Sequence, residues 1–190
     1  MPTLLQTSFL DREQRYDGSQ LTTHWCRRVS GIETDALVAF VGEARVPTAN
    51  LVDQEDREQG SKIVARRMLH FVGVYFERPL AEMVWRQRLY MSRIAQRITQ
   101  RGVELSVVGD DLYLPDTPPR KLSVSIATVS QTAGLLHLGL NIDPTGAPVP
   151  AVGLEELGVD AEELGRELLT LFAEEEESVR RAVAKVRAVE

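Results

Sequence analysis

The side chains best suited to chemistry gather in one stretch, 110-DDLYLPDTPPRKLSVSIATVSQTAGLLHLGLNID-143. Asp110 and Asp111 lie at a turn, Lys121 stands between a proline turn and an apolar run, and Gly139 and Asn141 close the next apolar run. A lysine at the root of a half-buried strand is suited to clamp a carboxylate or a phosphate, above all where anionic charge grows in a transition state. The competing reading is local: Lys121 pairs with Asp110 or Asp111 across a turn, an ion pair worth little when exposed. Spacing by itself leaves the two readings level.

The common catalytic signatures are absent from the sequence: it has no Walker loop, no G-x-G-x-x-G, no G-x-S-x-G and no H-E-x-x-H. His24, His70 and His137 are its three histidines, and the periodicity assigns them to separate elements. That speaks against a Ser-His-Asp triad or a three-histidine metal site, and no metal-ligand set is expected. Cys26 is the single cysteine, so no disulfide can form within the chain. It reads as a small buried hydrophobe.

The elements that must position these residues follow from periodicity. Residues 4–10 and 36–46 read as strands, the second closed by Pro47, and a helix is expected from Ser19 to Ser30 on the stripe Leu21, Trp25, Val29. The run 68-MLHFVGVYFE-77 is apolar on both faces, as a central strand would be, with His70 a packed histidine. Pro79 opens the clearest helix, which continues to Gly102 with Leu80, Met83, Val84, Leu89, Ile94 and Ile98 toward the core. Its arginines, Arg86, Arg88, Arg93, Arg97 and Arg101, are expected mostly elsewhere on its surface. From residue 103 the period changes to two, which predicts an antiparallel meander with a turn at Gly109-Asp110-Asp111, a strand over 121–130 and a strand over 135–143. A Pro/Gly-rich linker, 144-PTGAPVPAVG-153, leads to two helical pieces, the first with a capping-box-like start at Asp160 and Glu163. The expected division is a domain over residues 1–150 and a helical extension over 151–190 packed on it.

With 190 residues, 43% of them hydrophobic, the chain can bury a substantial core without disulfides or metals. Its formal net charge of −6 argues against a broad nonspecific grip on nucleic acid, which needs surplus cations. The N-terminal stretch MPTLLQTSFLDREQ lacks the basic and long apolar regions of a signal peptide, and no membrane-length apolar run occurs. A cytoplasmic protein is expected, without a membrane partner; an open sheet edge and the C-terminal helices make a homodimer the prior.

The ordered motifs 110-DDL-112, 121-KLSVS-125 and 137-HLGLN-141 resemble the catalytic domain of biotin and lipoate protein ligases, a relative of class II aminoacyl-tRNA synthetases. In that superfamily the motifs read Asn-Asp-Leu/Val, K-[IV]-x-G-[IV] and G-[IL]-G-[IL]-N. More narrowly, YDGSQL, VDQED, MLHF and RKLSVSIATVS resemble domain-of-unknown-function family 366. The resemblance implies an α+β fold with a mixed, mainly antiparallel sheet and helices packed on one face. It implies an adenylate-forming or acyl-transferring enzyme that uses ATP and Mg2+ on a small carboxylic acid, with an acceptor protein to follow. By that likeness Lys121 contacts the carboxylate and the α-phosphate, Asp110 or Asp111 holds Mg2+ or a ribose hydroxyl, and Gly139 and Asn141 line the site. Arg45, Lys62, Arg66 or Arg67 would stand in for a glycine-rich phosphate loop, which 45-RVPTANLVDQEDREQGSKIVARR-67 does not supply. The sequence departs from the motifs at Asp110, Val124 and His137, and the alternative is a binding module that keeps the fold without the chemistry.

Overall fold

The long apolar runs become the middle of a sheet because only a strand paired on both edges satisfies a fully buried backbone. The computed structural model describes residues 4–189. Its main sheet contains β1 (Gln6–Leu10), β2 (Ala36–Val46), β3 (Ile63–Phe76), β7 (Ser123–Val129) and β8 (Ala133–Asp143), in the order β1-β2-β3-β8-β7. Only β1 and β2 run parallel; the other pairs are antiparallel. All of β8 is buried, and β3 is buried from Met68 to Tyr75.

Period-two alternation sorts the sheet's side chains onto two faces. Leu37, Ala39, Leu69, Phe71, Leu136, Leu138 and Leu140 join one core with the long helices α3 (Leu80–Thr99) and α4 (Ala161–Lys185). Val38, Phe40, Val72 and Val74 meet Tyr16, Trp25 and Cys26 on the other face, under the short helix α1 (Trp25–Ser30). Leu164, Leu168 and Phe172 of α4 belong to the same core as the sheet and α3. Among the described residues no helix is long and apolar enough to cross a membrane.

Several elements differ from their sequence expectation for identifiable reasons. Residues 17–24 form turns instead of the first part of a helix: Asp17 accepts hydrogen bonds from the backbone N–H and hydroxyl of Ser19. β3 begins five residues before Met68, because Ile63, Val64 and Ala65 pair with Val46, Arg45 and Ala44 beyond a bulge at Gly42/Ala44. The meander is divided between sheets. β4 (Ser106–Val108), β5 (Asp111–Leu114) and β6 (Arg120–Lys121) form a small sheet of their own, and the chain enters the main sheet only at Ser123. The two C-terminal helical pieces are one helix, α4, with the Asp160 carboxylate accepting from the Glu163 N–H at its start.

The core stripe of α3 is also rotated from the expected one. Met83, Arg86, Gln87, Tyr90, Met91, Ile94, Ala95 and Ile98 are buried, while Leu80 and Val84 are exposed. A hydrophobicity count cannot place Arg86 inside, because its partner lies 90 residues away. Arg86 Nε donates to Glu176 Oε1 at 2.6 Å, Tyr90 Oη donates to the same oxygen at 2.8 Å, and the guanidinium lies 4.4 Å from the Tyr75 ring centre. Further along, Arg93, Arg97 and Arg101 pair with Glu175 and Glu167 of α4, so the arginine row ties the two helices together. Glu176→Ala leaves the buried Arg86 with the half-exposed Glu82, at 3.1 Å, as its remaining carboxylate partner and is expected to cost about 3 kcal/mol, read from the urea midpoint. An unchanged midpoint would show that water reaches the pair.

Candidate functional site

The division of the meander into two sheets is what builds the cleft. Leu122 N–H donates to Leu112 O and Leu112 N–H donates to Ser123 Oγ, so the small sheet is pinned to the main one where the chain crosses. Lys121, the last residue before the crossing, is held on both sides by the Pro/Gly segment: its N–H donates to Pro150 O, and its carbonyl accepts from Val152 N–H. Asn141 Nδ2 donates to the same carbonyl at 3.2 Å. The lysine backbone is thereby immobilised, and only its side chain is left to reach the cleft.

That cleft, of about 360 Å³, is lined by the sheet residues Met68, Ser123 and Asn141, by Asp110, Asp111 and Lys121, and by Asp53, Asp56 and Lys62. Asp53 caps the exposed helix α2 (Gln54–Glu58), accepting from the N–H groups of Glu55 and Asp56. Ala147, Pro148, Val149 and Ala151 complete the rim. Four aspartates and two lysines thus line one cavity.

The two adjacent aspartates have different work: Asp111 opens β5, and Asp110 ends the turn before it. Asp111 Oδ2 meets Lys121 Nζ at 2.8 Å, with both side chains about one quarter exposed. Asp110 turns toward α3: its Oδ2 accepts from Gln87 Nε2 and from Ser125 Oγ, each at 2.7 Å, and Arg88 approaches Oδ1 at 3.4 Å. Asp110 therefore anchors the hairpin, and Gln87, which periodicity did not single out, holds it from behind.

The remaining expected residues are distributed differently. Gly139 lies under the sheet's covering side chains, since a Cβ there would collide with Met68 Sδ and press on Val124. The glycine makes room for Met68, and it does not line the cleft. Arg45 pairs with Glu43 at 3.1 Å; Arg66 pairs with Asp143; Arg67 pairs with Glu13 at 3.0 Å and Glu155 at 3.5 Å. All three arginines sit on strand residues outside the cleft lining, and Lys62 is the cation that the 48–62 segment brings to it.

A feature that the separate histidine positions concealed lies beside the cleft. β3 and β8 are neighbours, with His70 opposite Gly139 and Val72 opposite His137, so the two histidines are diagonal neighbours on one face. His70 Nδ1 lies 3.1 Å from His137 Nε2, and His70 Nε2 lies 3.3 Å from Gly42 O. Tyr16 stacks on His137 with ring centres 3.9 Å apart, and Phe40 stacks on His70. His137 forms part of the wall of a smaller pocket that shares Asp53, Asp56, Ile63 and Ser125 with the main cleft. The signal was present in the parity of residues 137, 139 and 141, which places His137 on the face of Asn141.

The fold is the α+β fold of the biotin and lipoate protein ligases. The chain aligns over 90% of its length with a biotin protein ligase from Aquifex aeolicus in complex with biotin and ATP, covering 68% of that chain at a TM-score of 0.55 and 17% identity. It aligns over 90% of its length with a lipoate-protein ligase A bound with ATP, covering 85% of that chain at a TM-score of 0.53 and 10% identity. At these identities the likeness is one of fold.

Within that fold the chain belongs to the family described as a domain of unknown function, DUF366, whose model matches residues 5–187. An uncharacterised protein of Methanocaldococcus jannaschii is 33% identical over 177 residues, which are 90% of this chain and 79% of the relative. A protein of unknown function from Pyrococcus horikoshi has the same fold throughout, with a TM-score of 0.92 and 37% identity over 98% of this chain and all of its own.

Burial drives the His70 pKa down to about 3, and burial beside His70 holds His137 well below its ordinary value. Both rings are therefore neutral in the fold, whereas the unfolded chain takes up protons below about pH 6.5. The stability tied to their neutrality is complete above that pH and is lost as pH falls toward 3. At pH 5 the expected loss from His70 is about 2 kcal/mol, and His137 adds to it in the same direction. NMR should find neither ring titrating in the native protein between pH 8 and 5; a midpoint near 6.5 for either would refute the buried pair.

Proposed function

We propose that the protein binds a small carboxylic acid with its carboxylate at Lys121 and activates it with ATP as an acyl adenylate for transfer to an acceptor. The observation that carries this reading is the Lys121 ammonium at the cleft, on a backbone held by Pro150, Val152 and Asn141 and balanced by Asp111 at 2.8 Å. In the proposed reaction a carboxylate oxygen bonds to the α-phosphorus of ATP, the bond from that phosphorus to the bridging oxygen breaks, and pyrophosphate leaves. Lys121 would meet the incoming carboxylate and the charge that develops on the α-phosphoryl oxygens. Fold likeness to ligases bound with ATP supports the reading as analogy.

The wall residues set conditions on the nucleotide. Asp53, Asp56, Asp110 and Asp111 would repel a bare triphosphate, and among the described residues no three metal-capable side chains converge. The Mg2+ ion would accordingly arrive with the phosphates, with Asp111 or the Asp53/Asp56 pair as its protein contacts. Of the two lysines lining the cleft, Lys121 pairs with Asp111, and Lys62, which makes no ion pair among the described residues, is the cation available to the phosphates.

A second reading, a carboxylate-binding module without adenylation, is favoured by one observation: Arg45, Arg66 and Arg67 are all engaged in ion pairs outside the cleft. No phosphate cradle is preformed from them. The two readings separate on ATP. The enzyme reading expects Mg2+-ATP to raise the melting temperature, and expects radiolabelled pyrophosphate to exchange into ATP once the acid is supplied from a carboxylate library. Lys121→Ala should cut that exchange by more than tenfold, or ~1.4 kcal/mol. Carboxylate binding with neither an ATP-dependent shift nor exchange would leave the binding module.

A further inference from the structure

The histidine pair sets the hydrogen-bonding sense of the smaller pocket. Two neutral imidazoles in contact share one proton donor, and their tautomers are decided by whatever fixes one end of the chain. Here the fixed end is Gly42 O, which can only accept, so His70 Nε2 carries the proton that points at it. His70 Nδ1 is then a lone pair, and the contact at 3.1 Å requires His137 Nε2 to donate into it. His137 is left with an unprotonated Nδ1.

Among the described residues that nitrogen has no protein partner. The hydrogen bonds of the pair use both nitrogens of His70 and Nε2 of His137, and among the described residues the one sealed side-chain polar atom without a partner is Arg78 Nε. His137 Nδ1 is therefore open to the pocket it helps to line, although the residue as a whole is only 2% exposed. Tyr16 covers one face of the ring, which leaves approach along the ring edge. Leu21, Val46, Leu51 and Ile126 give the wall its apolar part, Asn50, Asp53, Asp56 and Ser125 its polar part, and the pocket volume is about 70 Å³. An engineered cavity of about 150 Å³ takes benzene, so this one takes a group of a few heavy atoms.

We infer that the small pocket receives a compact neutral group bearing an N–H or O–H, which donates a hydrogen bond to His137 Nδ1. Because this pocket shares Asp53, Asp56, Ile63 and Ser125 with the cleft of Lys121, the inference rests on the cleft being a small-molecule site and narrows the proposed acid. The acid has its carboxylate at one end and an amide or hydroxyl at the other, in place of a plain hydrocarbon terminus. A site built around an acceptor rejects an isostere without a donor, since the buried nitrogen would then lose its water and gain nothing.

Acetamide and acetone test this directly, being nearly equal in size and shape and differing in the N–H donor. With protein labelled with 15N at histidine, the native spectrum should show His137 Nδ1 as an unprotonated nitrogen and Nε2 as a protonated one. Titrated acetamide should shift the Nδ1 resonance and bind at least about fivefold more tightly than acetone, the difference one hydrogen bond makes. His137→Phe should abolish the difference; the wild-type comparison stands without that variant should it fold poorly. A protonated His137 Nδ1, or equal binding of the two probes, overturns the inference. Neither readout involves ATP or a carboxylate, so failure of pyrophosphate exchange leaves this result intact, and failure here leaves the Lys121 reading intact.

Discussion

The antiparallel pairing of β3 with β8 is the constraint on which the rest of the molecule depends. Both strands are buried on both faces, so their register cannot slip by one residue without exchanging the two cores. That register sets Met68 beside Asn141 and His70 beside Gly139, which brings the histidine pair and the glycine-covering methionine to the same face as Asn141. Asn141 in turn holds the carbonyl of Lys121. A single ladder thus aligns the apolar end and the cationic end of the cleft.

Charge is distributed so that most cations are already spent on architecture. Arg86 is buried against Glu176, and Arg93, Arg97 and Arg101 join α3 to α4. Arg66 and Arg67 tie β3 to Asp143, Glu13 and Glu155. What reaches the cleft is two lysines among four aspartates. Lysine suits such a place better than arginine, because a compact ammonium can leave one carboxylate for another without giving up a two-pronged contact.

The departures from the ligase-like motifs have a common structural consequence. Val124 and His137 stand where the motifs carry glycine; Val124 touches the Gly139 position, and His137 fills the face beside it with a ring held between Tyr16 and His70. Side chains therefore occupy space that glycines would leave open, and the apolar end of the cleft is small and edged by an imidazole. Asp110, which stands where the motif has asparagine, is turned onto Gln87 and Ser125 and supports the hairpin from the α3 side.

Local patterning alone determined the strands over 36–46 and 135–143, the helix after Pro79, the Asp160 cap and the ordered motifs at Asp110, Lys121 and Asn141. These are features of period and of neighbours within a few residues, which the chain carries wherever it folds. The inward turn of Arg86, the engagement of Arg45, Arg66 and Arg67 away from the cleft, and the division of the meander into two sheets came only with the tertiary structure. So did the meeting of His70 with His137, although their parity was written in the strands. The physical reason is the same throughout: a buried charge or imidazole is placed by a partner distant in sequence, and no local pattern names that partner.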